Sequence, residues 1–148
     1  MNATPRDVMD DVQPGVPSRI RVLLVDDNPA FLDALGRLLD EEERVEVVGR
    51  AHSGEEAIAL AGYLAPDLIL MDIAMPGMNG LAATVVIKAR ARAPRVVIVT
   101  VSDAPEYQEA SRGVGADGFV TKGEVGRELS SVVRALFPPS SEAAGAAL

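Results

Sequence analysis

Five short runs of β-branched and other apolar residues recur along this chain: IRVLLV (20–25), RVEVVG (44–49), DLILM (67–71), RVVIVT (95–100) and DGFVT (117–121). Their spacing limits the fold more than any other feature. Parallel strands cannot be joined by a tight hairpin and need a crossover of about a dozen residues or more, usually a helix. The intervals supply those helices. Phe31, Leu32, Leu35, Leu38 and Leu39 recur at three- and four-residue steps, one face of a helix, behind Asn28 as N-cap and Pro29 in the first turn. Ser53 followed by Glu56 is a capping-box signature for a second helix. Residues 81–91 and 125–137 read as two more. A fifth, 104–113, is weaker because Ser111 and its terminal glycine lower helix propensity. Alternating strands and helices of this kind predict an α/β fold, a doubly wound parallel sheet of five strands flanked by five helices. Strands one, three and four are nearly continuous apolar runs, as strands buried on both faces should be.

Composition narrows the function classes. A chain of 148 residues suits one domain, and 48% apolar content places it among globular proteins. Residues 20–137 hold 12 Lys/Arg against 18 Asp/Glu. That acidic balance argues against direct nucleic-acid binding, which needs a basic face. No apolar run approaches the roughly 18 residues of a membrane span, and MNATPRDVMDDVQPGVPSR lacks the apolar stretch of a signal peptide. The chain has no cysteine, which removes disulfides and thiolate metal sites and agrees with a cytoplasmic location. The aperiodic residues 1–19 and the small-residue stretch 138–148 read as a flexible leader and tail around a domain at 20–137.

In doubly wound sheets, ligands bind beyond the carboxyl ends of the strands, where strand order reverses. Those ends carry Asp26 and Asp27 after strand one, Asp72 after strand three, Thr100 at the end of strand four and Lys122 after strand five. Three converging carboxylates are unfavourable unless a cation joins them or one keeps its proton. All-oxygen ligands point to a hard ion such as Mg²⁺. A carboxylate can also be the nucleophile in phosphoryl transfer. Asp72, standing singly before the loop IAMPGMNG, is the best placed for that role. A lysine and a threonine hydroxyl could hold phosphoryl oxygens opposite the metal.

The motifs VDDN, LILMDIAMPGMNG, VVIVT and GADGFVTK occur in that order and cover essentially all of residues 20–137. Together they resemble the receiver domain of bacterial response regulators. The resemblance implies a flavodoxin-like sheet of order 2-1-3-4-5 and a role in two-component signalling rather than an enzyme acting on other substrates. It implies Asp72 as phosphoacceptor from a histidine kinase or phosphotransfer protein. Mg²⁺ would be held by Asp27 directly, by Asp26 through water, by Asp72 and by the backbone carbonyl of Ala74. Thr100 and Lys122 would contact the phosphoryl group. Thr100 and Phe119 would form a switch that reshapes helix four, strand five and helix five for a homodimer partner or downstream effector.

Three positions depart from the family's common pattern. Gly123 follows Lys122 where many receivers have a cis proline; a cis bond before glycine would cost about 3 kcal/mol. Val101 stands where a small residue is common, and the switch residue is Phe rather than Tyr, with no hydroxyl to bond outside.

Plainer readings and rivals accompany these. His52 reads as a solvated loop residue, DEEE (40–43) as a solvated helix end, and Pro76-Gly77 and Asn79-Gly80 as turn punctuation. Phe119 is also compatible with a core aromatic. The motifs resemble receivers that precede a helix-turn-helix output domain, although the 11 residues after Phe137 are too few for one. A receiver that signals without phosphorylation keeps the fold and drops the chemistry. A flavin site would want a Gly- and Ser-rich loop where DDNPAF stands. An aspartyl phosphatase would want a second acid two residues beyond Asp72, where Ala74 stands.

Overall fold

The computed structural model describes residues 19–139; of the expected leader and tail, all but Arg19, Pro138 and Pro139 lie outside the described residues. Five strands form: β1 (Ile20–Val25), β2 (Val45–Ala51), β3 (Leu68–Met71), β4 (Arg95–Thr100) and β5 (Gly118–Thr121). Five helices alternate with them: α1 (Pro29–Asp40), α2 (Gly54–Leu64), α3 (Gly80–Lys88), α4 (Pro105–Gly113) and α5 (Val125–Leu136). All strand pairs are parallel, in the order β2-β1-β3-β4-β5. This is the expected doubly wound sheet.

Side chains alternate across each strand, so the sheet has two cores. From β1, Ile20, Val22 and Leu24 meet Leu32, Leu35 and Leu39 of α1 and Leu129 and Val133 of α5. Leu23 and Val25 face the other way, with Ile69, Met71 and Ile98, against Ala57 and Ala61 of α2 and Ala83 and Ile87 of α3. Burial on both faces is why β1, β3 and β4 read as unbroken apolar runs. Each fully buried aliphatic side chain contributes about 1.5–3 kcal/mol of transfer free energy.

Helix ends follow local chemistry. The Asn28 side-chain oxygen accepts from the backbone N–H of Ala30 and Phe31, starting α1 as expected. Ser53 Oγ accepts from the N–H of Glu56 at 3.1 Å, but Glu56 takes the His52 N–H at 2.7 Å instead of returning the bond to Ser53. The capping box is therefore half made. The helix expected at 81–91 stops at Lys88, and the chain turns through Arg92 at φ 58° before Pro94. In α4 there is no side-chain cap and Ser111 is the one buried residue, in keeping with its weak sequence signal.

Asp40, Glu41 and Glu43 are exposed, the solvated helix end expected of the acidic run, and the half-buried Glu42 between them accepts a hydrogen bond from the Ser130 hydroxyl of α5. One plain reading needs correction. Asn79-Gly80 is more than a turn. Asn79 caps α3 by accepting from the Ala82 N–H at 2.9 Å. Gly80 lies so close to the end of β3 that a Cβ there would collide with the Asp72 carbonyl oxygen, and its N–H donates to the Ile73 carbonyl at 3.0 Å. Only glycine allows that approach, and it ties the loop after β3 to the start of α3. Among the described residues, no helix is long and apolar enough to cross a membrane.

Candidate functional site

Backbone pairing carries two of the acids into place. The β1 ladder continues one residue past Val25, with the Asp26 N–H donating to the Ala51 carbonyl at 3.0 Å. The Asp72 N–H likewise donates to the Val25 carbonyl at 3.0 Å. Because Val25 pairs with Met71, Asp26 and Asp72 emerge side by side between β1 and β3, where the strand order reverses. On the other side, the Lys122 N–H donates to the Thr100 carbonyl at 2.7 Å, which brings the end of β5 beside the end of β4. Asp26, Asp72 and Thr100 are all buried; Asp27 is exposed.

Carboxylate oxygens of Asp26, Asp27 and Asp72 all lie within 4.8 Å of one another. Lys122 Nζ stands 2.6 Å from Asp26 Oδ2 and 3.7 Å from Asp72 Oδ2. Asp26 Oδ1 accepts from the Asn28 N–H at 2.9 Å. Its other oxygen, Oδ2, is buried without an aligned hydrogen bond, so the Lys122 contact is an ion pair by proximity. A single ammonium charge thus stands against three carboxylates. Burial pushes the Asp72 carboxyl up to about 6, and the neighbouring Asp26 charge adds to the effect. The Lys122 charge and the backbone N–H groups of Ala74 and Ile73 oppose it without cancelling it. Three converging carboxylates against one ammonium, with all-oxygen donors, fit a hard divalent cation such as Mg²⁺.

The remaining predicted positions divide. Thr100 lies at the same sheet edge, while its neighbour Val101 is 76% exposed. Phe119 is half-buried, paired with Ile98 in the sheet and packed on the core that faces α2 and α3. It serves the core in this conformation. Ala74 is exposed, two residues beyond Asp72. No cis peptide occurs among the described residues, so the Lys122–Gly123 bond is trans. His52 is exposed, with Nδ1 3.2 Å from Glu56 Oε1, and takes no part in the cluster.

Sequence reasoning missed one neighbour of the site. The Phe31 ring lies beneath Lys122, with Nζ 4.5 Å from its centroid. Helical periodicity marks Phe31 as a core residue, which it partly is. Its place in the first turn after VDDN was the available hint.

The sequence model of the response regulator receiver domain matches residues 22–134. The chain belongs to that family. This receiver is 37% identical over 118 residues to the response regulator GacA of Pseudomonas aeruginosa, a match spanning 80% of this chain and 55% of that protein. It is 43% identical over 97 residues to protein-glutamate methylesterase/protein-glutamine glutaminase 2 of Methanospirillum hungatei, over 66% of this chain and 28% of that protein. The response regulator domain of Thermotoga maritima CheB matches with a TM-score of 0.73 at 33% identity, covering 79% of this chain and 95% of that one. The chain spans about half the length of GacA. Family and fold together place it in two-component signalling.

Proposed function

We propose that this receiver accepts a phosphoryl group on Asp72 from a histidine kinase or phosphotransfer protein. The observation that carries the proposal is the group of three carboxylates within 4.8 Å, faced by Lys122. An Asp72 carboxylate oxygen attacks phosphorus; the bond from phosphorus to the donor nitrogen breaks, and that nitrogen keeps the electron pair. Asp27, Asp72 and the Ala74 carbonyl would hold Mg²⁺ directly, and Asp26 through water. Bound there, Mg²⁺ would supply neutralisation of the charge on the phosphoryl oxygens. The Lys122 ammonium and the Thr100 hydroxyl hold the remaining oxygens.

In this reading Thr100 and Phe119 form the switch. A half-open cleft of about 250 Å³, lined by Gln108, Ser111, Ala116 and Phe119, adjoins the ring. Its displacement reshapes α4, β5 and α5 for a homodimer partner or downstream effector, by biasing two states the fold already holds. Residues 20–137 make up the unit, acting in the cytoplasm. Self-dephosphorylation is slow, because neither Ala74 nor Ser102 carries an acid or amide to orient water. The Ser102 hydroxyl is itself engaged by the Ala104 N–H at 3.2 Å.

Phosphotransfer from candidate kinases, read by intact mass, tests the assignment. The wild type gains one phosphoryl group and Asp72→Asn gains none. Equal labelling of both would overturn it, and a half-life of seconds for the phosphorylated wild type would overturn the slow hydrolysis.

A further inference from the structure

The contacts around Lys122 close on themselves. Asp26 Oδ1 accepts from the Asn28 N–H at 2.9 Å, and Asn28 Oδ1 accepts from the Phe31 N–H at 3.3 Å. The Phe31 ring carries Lys122 Nζ at 4.5 Å from its centroid, and that same Nζ stands 2.6 Å from Asp26 Oδ2. The circuit begins and ends on Asp26. The turn that places Asp26 therefore also sets the angle at which α1 presents the Phe31 ring to the lysine.

We infer that Phe31 is a positioning residue for Lys122, holding its ammonium beside Asp72 through the ring face. This rests on the phosphoacceptor reading of Asp72. The ammonium has two kinds of partner. Asp26 Oδ2 is the stronger one, but a divalent cation would compete for the same oxygen. The ring face attracts an ammonium through its quadrupole and offers no lone pair to a metal. With the lysine side chain only 17% exposed, the interaction is little weakened by water. Phe31 keeps Nζ near its present 3.7 Å from Asp72 Oδ2, within a short reach of oxygens on a group carried there. An aliphatic residue at 31 would fill the core equally well and leave the ammonium free to swing toward solvent.

The test compares the wild type with Phe31→Leu, Phe31→Met and Phe31→Tyr. The first readout, in the metal-free protein, is the NMR shift of the Lys122 ε-methylene protons. The ring should move them upfield in the wild type and in Phe31→Tyr, with the displacement lost in Phe31→Leu and Phe31→Met. The second is phosphorylation by acetyl phosphate with Mg²⁺, in which Asp72 attacks phosphorus and acetate leaves with the electron pair. The rate at saturating donor should fall roughly three- to tenfold in the aliphatic variants, with half-saturation little changed and Phe31→Tyr restored. Unshifted ε-methylene protons in the wild type, or full-rate phosphorylation of a folded aliphatic variant, would overturn the inference. Failure of Phe31→Tyr to restore the rate would do the same. A wild type that acetyl phosphate leaves unmodified on Asp72 would instead count against the phosphoacceptor assignment, with the methylene shift still reporting on Phe31.

Discussion

Two carboxylates, Asp72 buried and Asp117 half-buried, sit at opposite ends of the same sheet and meet opposite treatment. Asp117, just before β5, is gripped by Lys88 Nζ at 2.8 Å, Arg95 at 3.3 Å and the Val96 N–H at 2.8 Å. Burial alone would raise its pKa; the Lys88 hydrogen bond, the Val96 N–H and the charges beside them outweigh burial and hold it below the usual carboxylate range. Asp72, just after β3, has Lys122 at 3.7 Å as its near cation and two other acids beside it, and its carboxyl is pushed up to about 6. Compensation at the first end marks an architectural clamp, joining α3, β4 and β5. Deficit at the second marks a place where folding free energy is held back for a ligand, as sites of perturbed ionisation tend to be.

Substitutions should separate the two ends, beginning with the largest effect. Gly80→Ala forces a methyl into the Asp72 carbonyl and should cost about 3 kcal/mol in urea unfolding while displacing the loop that carries Asp72. Asp117→Ala leaves the Val96 N–H without its acceptor and removes one of two from Lys88 Nζ, which keeps the Pro94 carbonyl at 3.0 Å, and should cost about 2 kcal/mol; Arg95 is half-exposed and adds little. Asp72→Asn should act with the opposite sign. Removing an under-compensated charge stabilises the metal-free protein at pH 7 by an amount on the order of 1–2 kcal/mol. Matching losses at positions 72 and 117 would break the contrast.

Acid titration gives the smallest effect and the sign is different at each end. The raised Asp72 carboxyl stays protonated in the folded protein after the unfolded chain has lost its proton. Metal-free stability therefore falls as pH rises from the ordinary 3.8 toward about 6. The depressed Asp117 contributes stability that is present above 3.8 and is lost as pH falls below it. Asp72→Asn should flatten the first limb and Asp117→Ala the second, in thermal melts across pH.

What the sequence revealed, and what it hid, follows from the range of the interactions. Asp26, Asp27, Asp72, Thr100 and Lys122 were legible because each directly follows or ends an apolar run, and a parallel sheet brings all such ends to one edge. Asn28 and Ser53 were legible because capping acts within one turn. The Gly80 approach to Asp72 was hidden, since Asn-Gly carries the same local signature whether or not a strand passes against it. Phe31 under Lys122 was hidden for a similar reason: the helical period explains the phenylalanine without needing the lysine. Asp117 looked like an ordinary residue at a strand start, because its partners Lys88 and Arg95 lie on other elements.

Carboxyl-carbon NMR of the aspartates across pH, without and with Mg²⁺, tests the contrast most directly. In the metal-free protein Asp72 should titrate near 6 and Asp117 below the ordinary 3.8, and Mg²⁺ should lower the Asp72 midpoint while leaving Asp117 in place. An Asp72 carboxyl that titrates in the ordinary range and ignores Mg²⁺ would contradict the account.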